Sequence, residues 1–287
     1  MKENTLTLSN GVTIPQPALG TWCIDDGKVS EVVKNAVRLG YRHIDTAQAY
    51  ANESGVGKGI RECGVARSEL FVTSKVAAEW KTYDEAARSI DETLSKMQME
   101  YLDMMIIHSP QPWKEVNRSD NRYLKENRAV WRALEDALSD GKLRAIGVSN
   151  FLQSDIENIL AACRVKPMVN QILCHISNTP LELIQFCRSH GIAVEAYSPV
   201  AHGEALKNPV INETAKKYGV SAARLCIRYT IQLGLISIPK ASSENHLKEN
   251  IDVDFEISAN DMEMLQHIEK IKDYGEFGFF PVFGGKM

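Results

Sequence analysis

Short apolar runs that read as strands alternate with stretches of helical period from about Leu19 to Ile238, an alternation that predicts parallel β-α units rather than a sandwich or a bundle. The candidate strands are Leu19-Gly20-Thr21, His43-Ile44-Asp45, Leu70 to Lys75, Tyr101 to His108, Ala145 to Ser149, Met168 to Gln171, Ala193 to Tyr197 and Leu235 to Ile238. About eight strands in one uninterrupted series fit a closed (β/α)8 TIM barrel. Between them, Val29, Val32, Val33, Ala36 and Val37 recur at i, i+3, i+4, i+7 and i+8, which puts one apolar stripe on a helix, and Ile90, Leu94 and Met97 repeat the pattern.

Local signals mark element ends. Thr82 and Glu85 form a capping box, and Thr179-Pro180-Leu181-Glu182 offers a capping hydroxyl, proline at the first helical position and glutamate at the third. Leu6-Thr7-Leu8 and Val12-Thr13-Ile14 flank Ser9-Asn10-Gly11, which predicts an N-terminal β-hairpin plugging one end of the barrel. Extra helices are predicted near His246 to Asn250 and from about Asn260 to Ile271, followed by the aromatic, glycine-rich loop Phe277 to Gly285. No Pro-, Gly- or Ser-rich linker divides the chain, so residues 1–287 read as a single domain.

Composition narrows the function classes. A net charge of -4 and the lack of a basic run with interleaved aromatics argue against nucleic acid as a partner. Met1 to Gly11 has no apolar signal core, and no stretch approaches the roughly 18 apolar residues of a membrane span, which predicts a cytoplasmic, membrane-free protein. The six cysteines are scattered, without Cys-x-x-Cys pairs or histidines placed with them at metal-ligand spacing, so they read as reduced residues and no metal site is expected.

In a (β/α)8 barrel the chemistry gathers at the C-terminal ends of the strands. The second, third and fourth candidate strands end in Asp45, Lys75 and His108, and the loop after Asp45 carries Tyr50. Singly, each has an ordinary structural reading as a cap, a rim charge or a packed imidazole. Together, at three successive strand ends, they place an acid, a base, an imidazole and a phenol around one pocket.

The segment Tyr41 to Tyr50, with Glu53 and Gly57 after it, resembles the aldo-keto reductase signature. Thr73-Ser74-Lys75-Val76, Ile106-Ile107-His108, Gly147 to Phe151 and Ala196-Tyr197-Ser198-Pro199 are similar to other blocks of that family, and the likeness runs from the hairpin to about Asn250. The resemblance implies a reductase of aldehydes and ketones in which Tyr50 gives its proton to the carbonyl oxygen, Lys75 lowers the Tyr50 pKa, Asp45 holds Lys75 and His108 donates a hydrogen bond to the substrate. It implies a nicotinamide cofactor, NADPH in preference to NADH. Gly20, Thr21, Trp22 and Asp45 are assigned to the ribose and pocket floor, Ser149, Asn150 and Gln171 to the carboxamide, and Tyr197 to the ring, with Ser198, Pro199, Val200 and Ile238 beside it. Lys240, Ala241, Ser242, His246, Glu249 and Asn250 are similar to the adenosine-end block.

This chain departs from that pattern at several positions. His246 stands where arginine usually grips the 2′-phosphate, which predicts a reduced NADPH margin. Ala77-Ala78, Ser109 and Cys174 replace common family residues and predict an enlarged substrate mouth, bounded by Trp22, Trp80, Trp113 and Phe280 and suited to carbonyls bulkier than glyceraldehyde. A monomer acting on a small-molecule carbonyl or alcohol is expected. The main alternative is a non-catalytic nicotinamide-binding barrel. Metal-assisted hydrolysis is disfavoured by the shortage of strand-end histidines, and a Rossmann dehydrogenase by the absence of Gly-x-Gly-x-x-Gly.

Overall fold

The computed structural model describes residues 5–284. Met1 to Asn4, at the start of the stretch examined for a signal, and Gly285, the last residue of the aromatic loop, lie outside the described residues. Strands β1 (Thr5–Thr7) and β2 (Thr13–Pro15) pair antiparallel. Leu8 N donates to Val12 O, and Gly11 takes the left-handed conformation (φ 85°) that the three-residue turn requires. Leu8 and Ile14 bury themselves, and Asn10 Nδ2 donates to Arg144 O at 2.8 Å, so the hairpin covers the N-terminal end of the barrel as the sequence predicts.

Eight parallel strands follow: β3 (Leu19–Gly20), β4 (His43–Asp45), β5 (Phe71–Val76), β6 (Leu102–Ile107), β7 (Leu143–Ser149), β8 (Val169–Leu173), β9 (Ala193–Tyr197) and β10 (Ile236–Ile238). Each pairs with the next in chain order. The first and last are stitched by Ala18 N to Ser237 O at 2.9 Å and Gly20 N to Pro239 O at 3.0 Å, which closes the sheet. The central strands are buried on both faces, the expectation for a parallel sheet wrapped by helices.

The wrapping helices are α1 (Asp26–Arg38), α2 (Glu53–Glu62), α3 (Tyr83–Met97), α4 (Leu124–Ser139), α5 (Gln153–Leu160), α6 (Leu181–Ser189), α7 (Pro209–Lys217) and α8 (Ala222–Gln232), with α9 (Glu244–Ile251) and α10 (Ala259–Gln266) added after β10. All five stripe residues of α1 face the core. The capping box opens α3 as predicted, with Thr82 Oγ1 accepting from Glu85 N. None of the helices among the described residues is long and apolar enough to cross a membrane.

Two local expectations are corrected. Thr179 does not cap α6: its hydroxyl donates to His175 O at 3.0 Å and meets Tyr229 Oη at 2.8 Å, a tertiary partner that outcompetes the local amide. Helix α10 ends at Gln266 rather than near Ile271, because Ile268 and Ile271 leave the helix to pack on a second apolar core. That core, built around Leu173, Ile176, Ala205, Tyr229 and Leu265, sits at the C-terminal end of the barrel and receives the tail through Tyr274, Val282 and Phe283. His175 Nε2 lies 2.9 Å from Tyr274 Oη, and the Tyr274 ring stacks on Phe283 at 4.4 Å, so the aromatic loop is seated rather than free.

Candidate active site

Alternation along the strands decides which side chains face the barrel axis. His43 and Asp45 point inward from β4, Thr73 and Lys75 from β5, and His108 follows β6 at the rim. Tyr50 closes a 3-10 turn, Gln48–Tyr50, which Gln48 fixes by donating from Nε2 to Ser89 O at 3.0 Å and accepting from Ala77 N at 2.8 Å. The turn ends on Ala51 in the left-handed conformation (φ 55°), a strained backbone of the kind that collects at ligand sites. Beneath it, buried Glu53 accepts from Ser74 Oγ at 2.6 Å and Thr93 Oγ1 at 3.0 Å.

The structure brings all four candidate catalytic residues together. Lys75 Nζ donates to Asp45 Oδ1 at 2.5 Å and to Thr46 O at 2.8 Å, and stands 5.1 Å from the centre of the Tyr50 ring. The rings of Tyr50 and His108 are 5.6 Å apart in an edge-to-face arrangement. Burial, with the Lys75 ammonium adding to it, holds the His108 imidazole well below its ordinary pKa, so it is neutral. The expected lowering of the Tyr50 pKa is corrected. Burial pushes the phenol well above its ordinary value, and the Asp45 and Cys23 charges add to the rise. Tyr50 is therefore protonated at neutral pH, the form a proton donor needs.

Asp45, Tyr50 and His108 line a cavity of about 400 Å³ at the C-terminal ends of the strands, with Lys75 buried behind them. Most of the predicted cofactor positions lie in its wall: Gly20, Trp22 and Asp45 on one side, Ser149, Asn150 and Gln171 opposite, then Tyr197, Ser198, Pro199, Val200, Ile238 and Lys240. Asn150 (φ 60°) and Ser198 (φ 53°) are both left-handed, which turns the chain sharply off β7 and β9 into the cavity. Asn150 Nδ2 donates to His108 O at 3.0 Å, and Tyr197 Oη donates to Asn150 Oδ1 at 2.7 Å, fixing the Tyr197 ring. Gln171 donates from Nε2 to Asp45 Oδ2 at 2.9 Å and to Glu195 Oε2 at 2.8 Å.

Other predicted positions lie outside the cavity wall. Thr21 is fully buried, its hydroxyl donating to Asp45 O at 3.0 Å; it braces the acid and does not face the cavity. Ala241 belongs to the main core, while Ser242, His246 and Glu249 are exposed on and beside α9, beyond the cavity, with Asn250 buried at its end. Trp80 is not in the wall: a turn in which Trp80 N donates to Ala77 O directs its ring onto the main core. Ala77, Ala78, Ser109 and Cys174 are also outside the wall. Trp113 closes over His108 at 4.9 Å and meets Phe280 at 4.8 Å, and Trp22 meets Phe280 at 5.2 Å, so three of the four predicted pocket aromatics form one rim.

Sequence reasoning missed Glu195, which holds Gln171, and His202 in the wall, while Phe277 and Phe283 join Phe280 as tail aromatics of the cavity. Glu195 carries a readable signal, a charge two residues before Tyr197 on the inward face of an apolar strand. His202 stacks on Phe277 at 4.3 Å in a non-periodic segment that offered no signal.

A closed parallel barrel with a titratable, aromatic-rimmed cavity at its strand ends has the architecture of a barrel enzyme. A family model, Aldo/keto reductase family, matches residues 17–270, and the chain belongs to the aldo-keto reductase family, an oxidoreductase family by its named members. It is 41% identical to glyoxal reductase of Bacillus subtilis over 275 residues, 95% of each chain. It is 38% identical to the 9,11-endoperoxide prostaglandin H2 reductase of Trypanosoma cruzi, over 97% of this chain and 96% of that one. Among solved structures, an aldo-keto reductase of Bombyx mori in complex with NADP superposes with a TM-score of 0.85 at 34% identity, covering 99% of both chains.

Proposed function

We propose that this chain reduces aldehydes and ketones to alcohols with NADPH, using Tyr50 as the proton donor. The observation that carries this is a neutral, half-buried phenol beside the buried Lys75–Asp45 pair and facing a neutral His108, with Asp45, Tyr50 and His108 lining one cavity. The donor set fits the cofactor: Ser149, Asn150 and Gln171 form a cluster of amide and hydroxyl groups able to hold a carboxamide, and Tyr197 supplies a fixed aromatic face. When bound, NADPH supplies the hydride for the carbonyl carbon. His108 donates an N–H to the carbonyl oxygen and polarises it. Tyr50 transfers its proton to that oxygen as negative charge develops there, and Lys75 stabilises the phenolate left behind. In the oxidative direction the phenolate removes the alcohol proton.

The test is loss of NADPH absorbance with 4-nitrobenzaldehyde. Tyr50→Phe should lower kcat by about 10²- to 10⁴-fold, the usual worth of a positioned acid, while NADPH binding stays within about twofold. A wild-type chain that binds NADPH and turns over no carbonyl on a broad panel would overturn the reading in favour of a non-catalytic cofactor-binding barrel.

A further inference from the structure

Beneath the cavity lies a carboxyl group that the chemistry above does not use. Glu195 sits inside β9 with its side chain fully buried. Its Oε2 accepts from Gln171 Nε2 at 2.8 Å, and its Oε1 is unpaired, 4.0 Å from His43 Nε2. His43 is itself occupied, with its ring nitrogens 3.2 Å from Pro15 O and 2.9 Å from Thr73 Oγ1.

A primary amide presents two donor protons on nitrogen and an acceptor on oxygen. Asp45 Oδ2 takes one Gln171 proton at 2.9 Å and Glu195 takes the other, both from within the barrel. Reversing the amide would set its oxygen against the Asp45 carboxylate and withdraw the N–H that Glu195 accepts. The orientation is therefore fixed, and the Gln171 carbonyl oxygen is the edge left for a ligand in the cavity that Gln171 lines.

We propose that Glu195 is a positioning residue: by holding the Gln171 amide nitrogen inward it presents the Gln171 carbonyl oxygen to the carboxamide N–H₂ of the nicotinamide cofactor. This rests on the NADPH reading above. Burial, reinforced by the Asp45 charge, pushes the Glu195 carboxyl up to about 8, yet one of its oxygens can accept from Gln171 in either protonation state. A glutamine at 195 keeps that acceptor, whereas a leucine removes it.

The experiment compares binding of NADP⁺ with binding of its 3-acetylpyridine analogue, in which a methyl group replaces the amide nitrogen and no donor faces Gln171. Dissociation constants are read from quenching of protein fluorescence. Glu195→Leu should weaken NADP⁺ by about three- to tenfold, the span of one lost orienting hydrogen bond, and leave the analogue within about twofold. Glu195→Gln should restore NADP⁺ binding to within about twofold of wild type. Equal weakening of both ligands, or of neither, overturns the assignment. Should the leucine variant give no cooperative melt, Glu195→Thr, too short to reach Gln171, takes its place with the same expected outcomes. Failure of the wild-type protein to bind NADP⁺ overturns the cofactor reading itself and this assignment with it.

Discussion

Lys75 Nζ stands 2.5 Å from Asp45 Oδ1, and neither side chain has more than 4% of its surface open to solvent. A buried pair of this kind contributes little net stability, but removing one partner strands a charge in a low-dielectric interior. Asp45→Asn should therefore cost about 3–5 kcal/mol in urea unfolding, and Lys75→Met a similar amount. The double variant should cost clearly less than the two added together, since it leaves no uncompensated ion. Strict additivity would show that the two groups do not interact as the geometry requires.

Two buried histidines make stability depend on acid. Burial lowers the His43 pKa to about 3, and the same cause lowers His175 to about 3. In the unfolded chain a histidine titrates near 6.5, so these two contribute stability that is present above pH 6.5 and is lost as pH falls toward 3. Together they should remove on the order of 4 kcal/mol between pH 7 and pH 5. His43→Gln, which keeps polar atoms for Thr73 and Pro15, should lose on the order of 2 kcal/mol less than wild type over that interval in chemical denaturation. Parallel pH profiles for the two proteins would show that His43 is not held neutral by the fold.

What the sequence makes legible here is set by how local the determining physics is. The strand ends carrying Asp45, Lys75 and His108, the α1 stripe and the Thr82 capping box depend on periodicity and neighbours a few residues away, and the structure agrees with each. The failed cap at Thr179 depends on Tyr229, 50 positions along the chain, whose phenol takes the hydroxyl. Trp80 is misplaced for a related reason: loop aromatics are aimed by turns, and the turn at Ala77 aims this one at the core. The direction of the Tyr50 pKa was not legible because its largest cause is burial, which depends on how distant segments close over the phenol. Glu195 could have been found by extending the inward alternation one step back from Tyr197.

The rim formed by Trp22, Trp113 and Phe280 should discriminate substrates by apolar contact. Phe280 reaches both tryptophans, at 5.2 and 4.8 Å, and its segment is held by Asn117 Nδ2 donating to Pro281 O at 2.6 Å. Burial of an aromatic substrate ring against such a wall contributes about 1.5–3 kcal/mol. Phe280→Ala and Trp22→Ala should each raise KM for benzaldehyde-type substrates by about tenfold while changing KM for a two-carbon dicarbonyl by less than about twofold. Unchanged KM values across an aldehyde panel would remove these residues from the substrate pocket.

Cofactor choice turns on charge at the far end of the cavity. Lys240 is exposed directly after β10 and lines the opening, whereas His246 lies exposed in the first turn of α9, beyond the wall. The arginine and lysine nearest Glu244 are engaged by it, Arg38 at 3.1 Å and Lys248 at 3.0 Å, which leaves Lys240 as the cation best placed for a 2′-phosphate. A single flexible ammonium binds phosphate as a point charge, without the bidentate fork of a guanidinium. Wild-type kcat/KM should therefore favour NADPH over NADH by only about tenfold, and Lys240→Ala should bring the ratio within about threefold, chiefly through KM for NADPH. His246→Arg should widen it by about another tenfold, because the guanidinium adds paired, charge-assisted hydrogen bonds that NADH cannot use. Equal kcat/KM for the two cofactors in the wild-type protein would refute the NADPH preference, and a ratio unmoved by Lys240→Ala would show that this lysine does not hold the phosphate.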